Sequence, residues 1–292
     1  MRETGRHIAA DGTAIWWGVD GEGPTLVLCD GIGCDGYVWP FLMDHFDDRY
    51  TFVRWHYRGH GNSDEPKDPD ALSIQDLVAD LRGILTELTE RGLITQPVVL
   101  VGHSMGCQVI LEYGLTHPGD VAAVIPICGS HGRPLDTFHD TPAFKKLLSP
   151  LIAAADRAPR VVGALWSRAM TNPLSWSVAS RTEVNPELVR RRDFMPYLQH
   201  MGRIRPLTFL RMLRHAADHS TLDRLSGIRV PVLVVAGEYD GFTPMRLSEE
   251  MVAAMPYGEL AVLNEGTHTA PLELPDVLNG YVERFLTALP GW

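Results

Sequence analysis

The sequence predicts an α/β fold, a mostly parallel sheet flanked by helices and interrupted by one helical insertion. Three observations predict it. Short β-branched and aliphatic runs alternate with amphipathic stretches of helical length. That alternation stops between about Gly132 and Leu225, where helical patterns follow one another without a strand candidate. A chain of 292 residues with 45% hydrophobic content is long and apolar enough to bury one large core.

The elements follow in order. His7 to Val19 carries the turn pair Asp11-Gly12 between two apolar stretches, which predicts an antiparallel hairpin leading into the sheet. Strands are predicted at Thr25 to Cys29, Tyr50 to Trp55, Pro97 to Val101, Val121 to Cys128, Val230 to Ala236 and Glu259 to Leu263. Helices are predicted at Ser73 to Arg91, Met105 to Thr116, Leu247 to Ala254 and Pro275 to Ala288. This is the pattern of a sheet covered on both faces. The interval 132–225 includes a helical stretch at Ala143 to Ala155 and a proline-interrupted run from Glu187 to His215. It divides the chain into a core, 1–131 with 226–292, and a helical cap, 132–225. Open α/β sheets bind ligands beyond the carboxyl ends of their strands, so a cap there would bring some of Trp166, Trp176, Phe194, Tyr197 and Phe209 around a ligand. Most of these rings are expected to pack between helices instead.

The formal charge of -10 argues against a phosphate-backbone partner and for a small-molecule one. The first residues lack the apolar run of a signal peptide, and no stretch of about 18 uncharged apolar residues exists to span a bilayer. The expectation is a cytoplasmic protein with no nucleic-acid and no membrane partner. Cys29, Cys34, Cys107 and Cys128 sit within or beside apolar runs and read as small buried hydrophobes.

After the run PVVLV comes Gly102-His103-Ser104-Met105-Gly106, followed directly by a helical pattern. This is G-x-S-x-G between a strand and a helix, the setting in which a sharp turn pushes the central serine out of the sheet edge. Glycines two positions either side remove Cβ atoms that would collide, and the helix start aims N–H groups at the reacting centre. Ser104 is therefore the candidate nucleophile.

A serine hydroxyl needs an imidazole to take its proton and a carboxylate to hold that imidazole in one tautomer. Among twelve histidines, His268 lies in a loop between the last strand and the last helix. His103 adjoins the nucleophile, but neighbouring side chains on such a turn point apart, so it is expected to pack or orient. Asp240 falls just past VPVLVVAG, giving the chain order Ser, Asp, His that accompanies this turn. Glu238, two residues earlier, is the competitor. The loop after the preceding strand, Cys128 to His131, holds no carboxylate.

Acyl transfer also needs two donors for a developing oxyanion. The backbone N–H of Met105 is one candidate, and that of Ile32, in the loop Asp30-Gly31-Ile32-Gly33-Cys34-Asp35-Gly36, is the other. The same loop spells G-x-G-x-x-G, a dinucleotide signature. The acidic ribose-binding residue expected at the end of the next strand is missing from YTFVRWHYR, so no cofactor is expected.

Together these residues resemble the α/β-hydrolase superfamily over nearly the whole chain, and within it the capped serine esterase, lactonase and cofactor-free haloperoxidase-like branches. The resemblance implies an eight-stranded, mostly parallel sheet with a cap. Arg58-Gly59-His60-Gly61-Asn62-Ser63 is similar to the family's R-G-x-G-x-S loop. Two positions depart from the pattern: Asp30 stands where His is usual before Gly31, and His56 where Asp is usual before Arg58. A serine at 104 separates the chain from the haloalkane dehalogenases and epoxide hydrolases of the superfamily, which use a carboxylate there.

Hydrolysis of a small hydrophobic ester or lactone through an acyl-enzyme is the expected function. Thioester hydrolysis, perhydrolysis, hydroxynitrile-lyase-type cleavage, or ligand binding without turnover are the alternatives. His215 and His219 have zinc-binding spacing, but Ala216 occupies the general-base position of H-E-x-x-H, so a solvated helix face is expected and no metal. Arg190, Arg191 and Arg192 are likewise expected on an exposed helical face.

Overall fold

The computed structural model of the chain describes residues 3–136, 143–182 and 184–292. A hairpin of β1 (Glu3–Ile8) and β2 (Ala14–Asp20) opens the sheet, and β2 continues antiparallel onto β4 (Thr51–Trp55). From there β3 (Thr25–Cys29), β5 (Val98–His103), β6 (Val121–Ile127), β7 (Val232–Gly237) and β8 (Gly258–Leu263) run parallel. The order across the eight-stranded sheet is β1-β2-β4-β3-β5-β6-β7-β8.

Every residue of β3, β5 and β7 is buried, as two-sided coverage requires and as their unbroken apolar runs predict. The edge strand β1 begins four residues before the predicted hairpin. Its sequence ETGRHI alternates half-buried and exposed positions, the polar habit of a strand with one free edge, and so lacks an apolar signal.

Helices α2 (Ile74–Glu90), α3 (Met105–Thr116) and α9 (Met245–Ala254) pack on one face of the sheet. On the other lie α1 (Pro40–Phe46), α10 (Ala270–Glu273) and α11 (Pro275–Ala288). The start of α2 is fixed by a capping box: the Asp76 N–H donates to Ser73 Oγ at 3.1 Å and the Ser73 N–H to Asp76 Oδ2 at 2.8 Å.

Between β6 and β7 come α4 (Ala143–Arg157), α5 (Pro159–Thr171), α6 (Pro173–Thr182), α7 (Arg191–Met201) and α8 (Pro206–Asp218). Residues 137–142 and 183 of the predicted cap interval lie outside the described residues. The proline-interrupted run from Glu187 to His215 divides into two helices, because Pro206 sits in the first turn of α8, where its missing N–H costs nothing. Leu148, Ala155, Leu210 and Leu213 give these helices a small core of their own.

Arg58 fastens three separate parts of the core. Its Nε and one terminal nitrogen donate to the two oxygens of Asp80 on α2 at 2.6 and 2.7 Å. The other donates to Asp11 Oδ2 in the hairpin turn at 3.0 Å and to the Ala71 carbonyl at 3.2 Å. Arg58 and Asp80 are both almost fully buried, so removing one partner strands a charge. Asp80→Ala is expected to lower unfolding stability by about 3–5 kcal/mol. Urea titration checks this, and a loss below about 1 kcal/mol would contradict it.

Candidate active site

The site begins with a strained turn. Ser104 sits at φ 55° and ψ −120°, between the last residue of β5 and the first of α3. This conformation lets the first turn of α3 lie directly on the sheet. A Cβ on Gly106 would stand 2.1 Å from the Cys29 carbonyl oxygen, and one on Gly102 would stand 2.6 Å from the Gly106 carbonyl oxygen. Only glycine fits at either position.

The structure brings Ser104, His268 and Asp240 together from three loops. His268 Nε2 lies 2.9 Å from Ser104 Oγ, and His268 Nδ1 lies 2.9 Å from Asp240 Oδ2. Asp240 Oδ1 accepts the N–H groups of Phe242 and Thr243, each at 2.8 Å, and Oδ2 accepts the Thr243 hydroxyl at 2.7 Å. Burial works to raise the Asp240 pKa, but the facing His268 and these donors outweigh it and hold the carboxyl below its ordinary value. An ionised Asp240 accepts a hydrogen bond from Nδ1–H, which leaves the Nε2 lone pair for the serine hydroxyl. Glu238, the competing carboxylate, is exposed and accepts the Glu265 N–H at 2.9 Å.

His103 turns away from the serine hydroxyl. Its Nε2 is 2.9 Å from the His268 carbonyl oxygen, so it braces the backbone of the imidazole beside it. Glu273 does the same from the opposite side, a role that no local sequence signal announced. It accepts the Thr267 N–H and hydroxyl, each at 2.6 Å, and the Thr269 hydroxyl at 3.0 Å, gripping both neighbours of His268. It also accepts the Asn185 N–H at 2.7 Å, from the segment joining α6 to α7. Phe242 stacks on the His268 ring at 4.8 Å.

Ile32 and Met105 both line the cavity in front of Ser104. The loop bearing Ile32 is set by the residue after it: the Gly33 N–H donates to His60 Nε2 at 3.1 Å, while His60 Nδ1 lies 2.9 Å from the Arg58 carbonyl. The two departures from the family pattern serve the same loops. Asp30 is buried, accepts Trp39 Nε1–H at 2.6 Å, and has its pKa raised by burial to about 7. Its carbonyl accepts the Tyr57 hydroxyl at 2.7 Å. His56 accepts the Asn62 N–H at 2.9 Å and stacks on Trp16. His200 of α7 joins this group, with Nδ1 3.3 Å from Asp35 and Nε2 accepting the Gly61 N–H at 3.4 Å. The G-x-G-x-x-G loop is thus closed in by protein: a Cβ on Gly33 would stand 2.2 Å from Met201 Sδ.

The cavity measures about 540 Å³ and lies between the sheet edge and the inserted helices. No Asp, Glu, Lys or Arg is among its described lining residues. Phe194, Tyr197 and Phe209 line it, a larger share of the singled-out rings than the sequence led one to expect. Trp166 instead donates to the Met201 carbonyl at 2.6 Å and packs on Phe209. All four cysteines are buried.

His219 corrects an expectation. It is buried rather than solvated, with Nε2 3.0 Å from Glu112 and Nδ1 3.1 Å from Gln108 Nε2, because α8 ends against α3. Among the described residues no group of three His, Cys, Asp or Glu side chains is arranged to hold a metal ion. Arg190, Arg191 and Arg192 are exposed.

The sequence model of a family described as alpha/beta hydrolase fold matches residues 24–275. The chain is 24% identical to the "Putative carbamate hydrolase RutD" of Escherichia coli over 272 residues, 92% of this chain and 93% of that one. Among solved structures it is similar to a thermophilic esterase from Thermogutta terrifontis (19% identity, 98% and 99% of the two chains, TM-score 0.75). It is equally similar to the enol-lactonase from Burkholderia xenovorans (19% identity, 97% and 100%, TM-score 0.76).

Burial holds four histidines around the site neutral, pulling their pKa values down to about 3 for His56 and His103 and about 4 for His60 and His200. An unfolded histidine titrates near pH 6.5, so below that value the unfolded chain binds more protons and stability falls as pH falls. Each contributes up to about 1.4 kcal/mol per pH unit until its folded pKa is reached. Asp30 opposes them by one proton between about pH 4 and 7, because its folded pKa is raised, and Asp35, Glu65 and Asp80, also raised by burial, oppose them with the same sign. The expected net result is a loss of stability between pH 6.5 and 4.5, measured by denaturant titration at a series of pH values. A flat profile over that window would show that these imidazoles are not buried neutral.

Proposed function

The chain belongs to the α/β-hydrolase fold family, and we propose that it hydrolyses carboxylic esters or lactones of uncharged, hydrophobic substrates through a covalent acyl-enzyme on Ser104. The observation that carries this reading is the Ser104–His268–Asp240 hydrogen-bonded chain, 2.9 Å at each link, at the base of a cavity with no Asp, Glu, Lys or Arg among its described lining residues.

The chemistry follows from the geometry. Ser104 Oγ attacks the substrate carbonyl as its proton passes to His268 Nε2. The carbonyl oxygen becomes an oxyanion that accepts the Ile32 and Met105 amides, which are fixed in advance by His60 and by the start of α3. The intermediate collapses, breaking the bond to the alcohol oxygen, which takes the proton back from Nε2. Water then attacks the acyl carbon by the same route, releasing the acid and restoring the serine. Asp240 stays ionised throughout and stabilises the imidazolium. Helices α4–α8 act as a cap whose aromatic and aliphatic side chains select the hydrophobic part of the substrate. A charged group in such a cavity would lose its hydration without gaining a partner, which is why uncharged substrates are proposed.

Hydrolysis of p-nitrophenyl esters of increasing acyl length, with the matching p-nitrophenyl carbamate beside them, tests this reading. Wild type is expected to turn over the esters, with Ser104→Ala losing at least about a thousandfold in kcat/KM. An ester carrying a carboxylate on the acyl chain is expected to react far more slowly than its neutral isostere. Folded wild type that is inert on every ester would overturn the proposal, and a preference for the carbamate would reassign the substrate class while keeping the nucleophile.

A further inference from the structure

The outer helices of the insertion carry a surface unlike the rest of the molecule. Leu147 and Leu151 on α4, Val161 and Leu165 on α5, and Leu174 and Val178 on α6 are between 42% and 69% exposed. Each pair is spaced four residues apart, one helical turn, and so projects from one side of its helix. These six account for more than half of the large hydrophobic side chains exposed among the described residues. Helices α4 and α5 rest on α8, and α5 and α6 rest on α7, so the opposite sides of all three face outward.

The charge of this segment is the reverse of the chain's. Residues 143–182 hold Lys145, Lys146, Arg157, Arg160, Arg168 and Arg181 against a single acidic residue, Asp156, in a protein of net charge -10. Lys145 is already paired with Asp136 at 2.6 Å, but exposed apolar side chains together with a basic excess on surface helices are the composition of a segment that lies in a membrane interface. A second copy of the chain fits poorly, since an isologous contact would set two basic faces against each other.

We propose that the outer face of α4–α6 docks on an anionic lipid bilayer. The leucines and valines enter the boundary of the acyl region, and the lysines and arginines meet anionic headgroups. The acidic remainder of the chain does not prevent this, because charges beyond about 10 Å are largely screened at 0.1 M salt. It departs from the sequence-level expectation of no membrane partner, which rested on spanning hydropathy and not on an amphipathic surface. Val178 is both exposed and part of the cavity lining, so the docked face adjoins the cavity. Docking itself does not depend on the reaction, whereas delivery of a substrate to Ser104 rests on the hydrolase reading above.

The test is sedimentation of the full chain with vesicles of phosphatidylcholine alone or mixed with phosphatidylglycerol, at low and high salt. Ser104→Ala is run beside wild type, so that docking is read even if the hydrolase reading fails. Each basic residue near an anionic surface is worth about fivefold in partitioning. The triple variant Arg157→Glu/Arg160→Glu/Arg168→Glu is therefore expected to lose at least about a hundredfold. Leu147→Ser/Leu165→Ser is expected to lose about tenfold by removing buried apolar area. Circular dichroism melts establish that both variants are folded, and the wild-type arms decide the question if either is not. Wild type that stays in the supernatant, or that binds both vesicle types equally at either salt, overturns the proposal. So does a concentration-dependent dimer of wild type that the leucine variant abolishes, which would assign the face to a second copy.

Discussion

The approach of the first turn of α3 to the ends of β3 and β5 is the constraint on which the rest of the site depends. With the α3 backbone at Gly106 set against the Cys29 carbonyl, Ser104 has no relaxed conformation available and is held at positive φ. A residue so placed costs on the order of 1–3 kcal/mol, which persists only where the surroundings over-determine it. They do so here because β3 and β5 are buried at every position and paired to each other along their length. The strain places the serine above the sheet edge. The loops after β3, β7 and β8 then need only carry their groups to that one point. Gly31 shows how tight the convergence is, since a Cβ there would come within 3.0 Å of Ser104 Cβ and 3.3 Å of His103 Nδ1.

Around this point the protein uses neutral polar side chains as braces. His60 holds the Ile32 loop, His103 the backbone of His268, His56 the turn at Asn62, and His200 ties α7 to both Asp35 and Gly61. A neutral ring can present one donor and one acceptor, and His60 and His200 use both, each bonding an N–H on one side and an oxygen on the other. Charged braces in the same places would put strong fields beside the imidazole that must change protonation. The carboxylates close to the serine are managed differently. Asp240 is kept ionised by His268 and its ring of donors, whereas burial favours the protonated form of Asp30.

How much of this was legible in the sequence depended on how local each signal was. The parallel strands and the helices flanking them announce themselves through continuous apolar runs and 3.6-residue periodicity, and their order fixes which loops meet at the sheet edge. Ser104 was legible because its motif, strand and helix are contiguous. His268 and Asp240 were legible because chain order and loop position reduced twelve histidines and 36 acidic residues to a few. Glu273 was not, since its partners include Asn185, 88 residues away, and an acidic residue five positions after a histidine carries no signal by itself. His219 failed for the related reason that helical spacing describes one helix face and says nothing about what that face meets. The start of β1 was missed because an edge strand has few apolar residues to show.

The inserted helices form two tiers, and the difference bears on what evolution or design can change. Among the described residues, hydrogen bonds to the core come from α7 through His200, from α8 through Thr208, Arg211 and the Ala216 carbonyl, from His219 just after it, and from the α6–α7 segment through Asn185. Asn185 reaches the loop of His268 through Glu273, His200 the turn at Gly61, and His219 the helix that follows Ser104. Helices α4 and α5 are joined mainly to that inner tier, through Trp166 to Met201 and Ser149 to Arg214. Loosening α7 or α8 would therefore disturb the groups around Ser104, because packed and hydrogen-bonded neighbours share the same displacement. Replacing side chains on the outward sides of α4–α6 leaves those bonds untouched. The inner tier and the sheet thus keep the reacting atoms in register, whereas α5 and α6 reach the site only as lining of its cavity, through Met170 and Val178 among others.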